Sequence, residues 1–146
     1  MKKLIRTTPL FIVVLCILFL TIQSSESTLG LSNALREWLV NLCNRLGISP
    51  DQWWNTGRGI RSLGHIIEYF VLGIIAGLTI KRKLYAIFIC SMVSLFDQIT
   101  KIFVPMRYFD KGDIPFDIIG FVSGLLIGWI ISFAIKEMRK NEENRR

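Results

Sequence analysis

The sequence predicts an all-α integral membrane protein, a bundle of four transmembrane helices with an amphipathic helix at the outer interface. Hydrophobic residues make up 51% of the 146 residues, and the mean hydropathy is positive. Apolar runs near residues 8–22, 63–80, 84–104 and 114–135 each approach the roughly 20 residues that cross a bilayer. The whole chain, 1–146, is therefore expected to be one membrane domain.

The basic residues predict the orientation of this bundle. Of the 18 lysines and arginines, 11 lie before the first run, between the second and third, and in the tail 136–146. Four crossings place all three segments on one side, which the positive-inside rule assigns to the cytoplasm. We therefore expect a cell-membrane protein with both termini cytoplasmic, and loops 23–62 and 105–113 outside. The net charge of +7 is explained by topology, so no nucleic-acid partner is expected.

The first run has the form of a signal sequence, with Lys2, Lys3 and Arg6 before an apolar stretch. No A-x-A-like cleavage site follows, so an uncleaved anchor is expected, with a cleaved signal peptide as the alternative. Cys16, Cys43 and Cys90 have no short spacing between them. The cysteines therefore indicate neither a metal motif nor a disulfide framework.

The segment after the first run predicts a linker and then a helix along the outer interface. Gln23–Leu29 is rich in serine, and leucines recur at helical spacing over 32–47. Ser32 is the expected N-cap and Gly47 the expected stop, with Trp38 at headgroup level. A partner-binding helix is the alternative. A further helix start is expected at Ser49–Asp51, and Trp53 and Trp54 add interfacial anchors.

The second span places polar side chains on one face at its outer end. On a helix with 100° per residue, the residues of this face fall within about 100° of arc: Arg61, His65, Glu68, Tyr69 and Leu72. Further along, Gly73 and Gly77 form a small-xxx-small pair that allows another helix to approach closely. The polar face is therefore expected to point into the bundle.

The third and fourth spans carry carboxylates where they approach the same side. Asp97 and Lys101 are four residues apart on one stripe with Cys90 and Ser94, and can form an ion pair. Asp113 is the expected N-cap of the fourth span, and Asp117 lies one turn further in. The fourth span continues with helix-packing glycines on nearly one face: Gly120, Gly124 and Gly128.

The topology brings the ends of these three spans together. Ionisable side chains at membrane depth are costly and usually face a protein interior or a water-filled cavity. The sequence therefore predicts a polar cluster in the outer leaflet, with Arg107 of the connecting loop able to pair with carboxylates. The expected ligand-binding residues are Arg61, His65, Tyr69, Asp97, Lys101, Arg107, Asp113 and Asp117.

Residues 58–130 resemble the VanZ-like family. The family's first block, an Arg, a His and a Tyr at four-residue spacings, is matched by Arg61, His65 and Tyr69. The second block is matched at the right spacing by Asp97, Phe103, Pro105, Arg107, Asp113, Asp117 and Gly120. The chain departs from it at four positions, where the family has Glu, His, Gln and Gly: Gln98, Thr100, Lys101 and Met106.

The resemblance implies a small membrane protein linked to reduced glycopeptide susceptibility, without established catalysis. We expect it to contribute to teicoplanin-type resistance or to cell-envelope function, with the lipid bilayer and a lipoglycopeptide or cell-wall lipid precursor as partners. One alternative is an intramembrane enzyme acting on a lipid or isoprenoid phosphate, with His65, Glu68 and Asp97 as catalytic candidates. Another is a purely structural assembly protein. With one histidine in the chain, no metal and no cofactor are expected.

Overall fold

The computed structural model describes residues 2–22, 25–47, 58–105 and 108–145. These residues form five α-helices and, within the described ranges, no strand: α1 (Lys2–Ile22), α2 (Ser25–Arg45), α3 (Arg58–Thr79), α4 (Lys83–Lys101) and α5 (Ile114–Glu143). The predicted all-α bundle is therefore confirmed. Four predicted features, the helix start at Ser49–Asp51, Trp53, Trp54 and Arg107, lie outside the described residues.

Three of these helices are long and apolar enough to cross a membrane. The spans are Gly59–Thr79, Lys83–Lys101 and Ile114–Glu143, and α1 adds a shorter apolar segment, Thr7–Ile22. Large apolar side chains such as Phe88, Phe96 and Ile130 are exposed along these helices, as expected where lipid is the solvent. The chain is a membrane protein.

The tightest packing in the bundle joins α3 to α5 through glycines. A Cβ atom on Gly73 or Gly124 would collide with the facing backbone, and one on Gly120 would lie 2.6 Å from the Ile66 carbonyl oxygen. Gly77 and Gly128 face each other in the same way. The glycines that the sequence marks for packing thus lie against one another, and this contact fixes the relative position of the two helices.

Helix α1 packs along α3 and α4 and contributes to the core. Ile17 is 2% exposed and Thr21, near the end of the helix, is 3% exposed. Ile17 belongs to a core whose other buried apolar side chains come from all three spans: Tyr69, Leu72, Ala76, Ala86, Cys90, Phe121 and Leu125. The first helix is therefore a structural part of the bundle.

Helix α2 begins earlier than the sequence predicts. It starts at Ser25, so the residues expected to form a serine-rich linker are largely helical and Ser32 lies inside the helix. Serine and glutamate are residue types that helices favour in their first turn, and the sequence has both at 25–26. The helix ends at Arg45, and Gly47 adopts the left-handed φ of 72° that terminates helices.

Helix α5 continues well past its apolar part. It runs to Glu143 through the basic segment expected to be a tail, because residues 134–143 contain good helix formers and neither Gly nor Pro. Where α4 begins, the ammonium of Lys83 lies 5.0 Å from the centre of the Trp129 ring on α5. This cation–π contact joins the two helices at the end of the bundle that carries the basic residues.

Candidate functional site

Polar side chains of four helices meet at one end of the bundle, where α1 and α4 end and α3 and α5 begin. We call this the polar end, and its interacting side chains the polar cluster: Thr21, Arg61, His65, Ser94, Asp97, Lys101, Asp110, Asp113 and Asp117. Successive antiparallel helices place residues that are distant in the sequence at the same depth. The polar cluster is therefore a product of the topology.

Asp113 is the centre of the polar cluster. Its Oδ2 atom lies 2.6 Å from Arg61 Nη2, 3.2 Å from His65 Nε2 and 3.2 Å from Lys101 Nζ. The residue occupies the N-cap position of α5, but its backbone is already helical and its side chain makes no capping hydrogen bond. Asp113 therefore stands at the predicted N-cap position, but the expected capping hydrogen bond is not formed. Its carboxylate faces the neighbouring helices and pairs with their basic side chains.

These partners keep Asp113 ionised although it is buried. Burial opposes the charged form, but hydrogen bonds with His65 and Arg61 and the nearby charge of Lys101 outweigh it. The pKa of the Asp113 carboxyl is consequently held well below its usual range. The side chain is a permanent anion at physiological pH.

Asp97 connects α4 to α1. Lys101 Nζ lies 3.0 Å from Asp97 Oδ2, so the four-residue spacing produces the expected ion pair. The other carboxylate oxygen, Oδ1, is hydrogen-bonded to the Thr21 hydroxyl. A residue of the first helix therefore takes part in the polar cluster.

Asp117 is the deepest carboxylate of the polar cluster, with a relative exposure of 0%. Its Oδ2 accepts a hydrogen bond of 2.7 Å from the Ser94 hydroxyl, and its Oδ1 lies 2.8 Å from His65 Nδ1. Since His65 Nε2 faces Asp113, the imidazole has a carboxylate beside each nitrogen. Both nitrogens can donate a proton only when the ring is cationic.

The polar cluster opens to the surface at Arg61 and Asp110, which we call the rim. Their side chains are 42% and 35% exposed and lie 3.8 Å apart. The Gly112 amide donates a hydrogen bond of 2.8 Å to Asp110 Oδ1, which orients this carboxylate. A ligand approaching the polar end therefore meets one positive and one negative group before it reaches the buried charges.

The structure brings together six of the eight predicted ligand-binding residues: Arg61, His65, Asp97, Lys101, Asp113 and Asp117. Tyr69 is completely buried, and its ring stacks near His65 with centroids 6.3 Å apart. Glu68 lies on the same helix, but the ion pairs of His65 go to Asp113 and Asp117. Of the three catalytic candidates, His65 is thus ion-paired with neither of the other two, Glu68 and Asp97, but with Asp113 and Asp117.

Sequence reasoning did not select four other polar residues at this end as ligand-binding: Thr21, Ser94, Gln98 and Asp110. Ser94 shares the stripe of Asp97, and Asp110 precedes Asp113 by three residues, so both had a signal in their spacing. Thr21 had none, because a single threonine at the end of an apolar run is common. Gln98 is fully buried, and neither atom of its amide is hydrogen-bonded to any described residue.

Three members of the polar cluster have the chemistry and the spacing of metal ligands. His65, Asp97 and Asp117 each offer one atom that lies within 4.8 Å of the other two. Imidazole nitrogen and carboxylate oxygen are ligands that divalent ions use in proteins. These side chains come from α3, α4 and α5, so they are far apart in the sequence.

Comparison with known proteins identifies the family. The model of the VanZ/LLP1 family matches residues 10–132, which include the three spans up to the polar and glycine-rich part of α5. No curated protein matches the chain, and no solved structure matches it either. Because the match extends over most of the 146 residues, the chain belongs to the VanZ/LLP1 family.

Proposed function

We propose that this protein binds a ligand of the cell envelope at its polar end and thereby lowers susceptibility to teicoplanin-type glycopeptides. The ligand is a lipoglycopeptide or a lipid-linked cell-wall precursor, held without covalent chemistry. The VanZ/LLP1 family match supports the link to resistance. The observation that carries the binding role is a buried cluster of charges with an open rim.

The distribution of charge supports a polar end that faces the outside of the cell. The basic segments around residues 2–6, 81–83 and 136–145 lie at the opposite end of the bundle from the polar cluster. By the positive-inside rule, that opposite end is cytoplasmic. The rim then lies at the level of the outer leaflet, where glycopeptides and exported cell-wall precursors are found.

The rim suits a lipid-tailed ligand with mixed charge. Arg61 can pair with a carboxylate or phosphate and Asp110 with an ammonium group, and both are part-exposed. Apolar side chains of α4 and α5, such as Phe96 and Ile119, are exposed to the surrounding lipid. An acyl or isoprenoid tail can therefore lie along the helices while its headgroup reaches the rim.

The pairing of the charges favours binding over the phosphate-processing enzyme. An enzyme for isoprenoid phosphates needs cations that are free to hold the phosphate and a base that is free to accept a proton. In the polar cluster the buried Lys101 pairs with Asp97 and Asp113, and His65 faces two carboxylates. Arg61 is part-exposed and has five N–H donors, so it can contact a ligand while it stays paired with Asp113. Burying charges in this way fixes a shape and leaves the part-exposed rim as the place of contact.

The test is expression in a susceptible Gram-positive host, with inhibitory concentrations of teicoplanin and vancomycin measured beside the amount of protein in the membrane. Tolerance should rise more for teicoplanin, because its lipid tail brings it to the membrane surface. Arg61→Gln should abolish the gain while the protein remains in the membrane. Lys111→Gln, an exposed charge near the rim, is the matched control and should keep the gain.

Two results would contradict the proposal. Unchanged inhibitory concentrations for both drugs, with the wild-type protein present in the membrane, would remove the resistance role. If Arg61→Gln lowers teicoplanin tolerance only in proportion to a lower amount of protein in the membrane, the polar cluster serves stability. That result would favour the structural alternative.

A further inference from the structure

We infer that the polar cluster contains a site for a divalent metal ion, formed by His65, Asp97 and Asp117. Each residue comes from a different helix, and one ligand atom of each lies within 4.8 Å of the other two. The inference concerns the same cluster as the proposed function, but it does not depend on any effect on glycopeptide susceptibility.

The contact between His65 and Asp117 has the form of two ligands of one ion. Nδ1 and Oδ1 lie 2.8 Å apart, yet neither atom makes a hydrogen bond. Two ligand atoms at about 2.1 Å from an ion and at right angles to each other are separated by about 3 Å. In that arrangement the lone pair of the ring nitrogen points at the ion and not at the oxygen. The two atoms are therefore close to each other without forming a hydrogen bond.

The second observation is that the same three side chains carry buried atoms without a hydrogen bond. Asp97 Oδ2, Asp117 Oδ1 and His65 Nδ1 are all buried, and none is hydrogen-bonded to any described residue. Asp117 is 0% and Asp97 is 3% exposed. Asp97 Oδ2 faces the Lys101 ammonium at 3.0 Å, and Asp117 Oδ1 and His65 Nδ1 face each other at 2.8 Å. Buried polar atoms without a hydrogen bond are rare and costly, and an ion between the three side chains would coordinate all three atoms.

The charges of the described residues leave room for a divalent ion. Among the ion-paired groups, four carboxylates, Asp97, Asp110, Asp113 and Asp117, face the cations Arg61 and Lys101. Glu68 is a further carboxyl group close to them, outside these ion pairs. A cationic His65 leaves one negative charge in excess, whereas a divalent ion bound to a neutral imidazole balances all four carboxylates. The ion then takes the place of the proton on the ring nitrogen, as in metal binding by histidine generally.

Lys101 is the competitor for this place. Its ammonium lies 3.0 Å from Asp97 Oδ2 and 3.4 Å from His65 Nε2, so it partly neutralises one of the ligands. One nitrogen and two oxygen ligands suit first-row ions such as Zn²⁺ and Mn²⁺ better than Ca²⁺, which prefers oxygen alone. Removing the ammonium should therefore preserve or strengthen the binding of such ions.

The test uses the full chain, purified in detergent with an affinity tag that contains no histidine. After treatment with a chelator and dialysis, the protein is titrated separately with Zn²⁺ and Mn²⁺, and bound metal is counted per chain. For at least one of these ions we expect about one per chain in the wild type and in Glu137→Gln, which removes an exposed carboxylate outside the polar cluster. His65→Gln and Asp117→Asn should bind that ion at least tenfold more weakly, and Lys101→Gln at least as tightly as the wild type.

Binding of Co²⁺ to the unmodified protein gives a readout that needs no variant. Coordination by His65 and two carboxylates in a buried site should give visible absorption bands stronger than those of the hydrated ion. Helical circular dichroism and monodisperse elution show which variants fold. One folded variant, His65→Gln or Asp117→Asn, is enough to test for weaker metal binding. Three results would each overturn the site. The first is no bound metal above the buffer blank in both wild type and Lys101→Gln. The second is wild-type metal binding in folded His65→Gln or Asp117→Asn, and the third is a Co²⁺ spectrum like that of the hydrated ion.

Discussion

At the scale of single residues, Asp113 organises the polar cluster. One carboxylate oxygen contacts side chains from α3 and α4 while the residue itself stands at the start of α5. Breaking a buried ion pair by removing one partner leaves the remaining charges uncompensated, which costs more than the pair itself contributes. Asp113 should therefore matter more for stability than any other residue of the rim and its surroundings.

We predict that Asp113→Asn lowers the free energy of unfolding by about 3 kcal/mol, because Arg61, His65 and Lys101 lose the carboxylate that they share. Asp110→Asn is the matched control, since its carboxylate is 35% exposed and should change stability by less than about 1 kcal/mol. Thermal or denaturant unfolding of the purified proteins in detergent measures both. Equal losses for the two variants would contradict a central role for Asp113.

The pH dependence of the same comparison follows from the lowered pKa of Asp113. Its folded value lies below the unfolded value of about 4, so ionisation stabilises the fold above the unfolded value. That stabilisation is lost as the pH falls through the folded value. The difference in free energy of unfolding between wild type and Asp113→Asn should stay constant between about pH 7 and 5 and become smaller below about pH 4. A difference that disappears near neutral pH would show that another group causes it.

At the scale of helices, the packing of α3 against α5 positions the polar cluster. The glycines of the two helices allow backbone contact. About two turns along the helices from this contact, it places His65 beside Asp113 and Asp117. Lipid tails are as apolar as leucine, so helix association in membranes relies on such close packing. A side chain added between the helices should separate the charged partners as well.

We predict that Gly124→Ala destabilises the bundle by about 2 kcal/mol through overpacking, because its Cβ would collide with the Phe70 carbonyl oxygen and lie 3.0 Å from Gly73 Cα. Gly64→Ala is the control on the facing helix, where a Cβ meets nothing within 4 Å. That variant should change stability by no more than about 1 kcal/mol, the difference in helix propensity. Thermal unfolding in detergent separates the two, and similar melting temperatures would refute the close packing.

At the scale of the whole molecule, the sequence contains the helices and their ends but not the pairing of side chains. Asp97, Asp113 and Asp117 were predictable neighbours of Arg61, because charged residues at the ends of antiparallel spans lie at one depth. That His65 pairs with Asp113 and Asp117 depends on how each helix is rotated about its axis. This rotation is set by the glycine contacts between α3 and α5. The sequence marks the glycines of each helix but not which of them face one another.

The early start of α2 and the role of Thr21 show the same limit. Serine-rich segments are compatible with a linker or with a helix start, and only the structure distinguishes the two. Thr21 reaches Asp97 because α1 packs along α4, a contact between residues far apart in the chain. Such long-range contacts leave no periodic pattern in the sequence, so they were not predicted.

The orientation of the molecule in the membrane can be tested with its own cysteines. Cys90 is buried in α4, and Cys16 is exposed but lies in the apolar segment Thr7–Ile22 of α1, whereas Cys43 is part-exposed on α2, outside the three spans. If the polar end faces outward, a membrane-impermeant maleimide added to intact cells should label Cys43, and the Cys43→Ser variant should lose the label. In that background, Lys140→Cys on the extension of α5 past its apolar part should then react only after the cells are permeabilised. Labelling of Lys140→Cys but not of Cys43 in intact cells would invert the orientation, and the polar cluster would then face the cytoplasm, away from the glycopeptides.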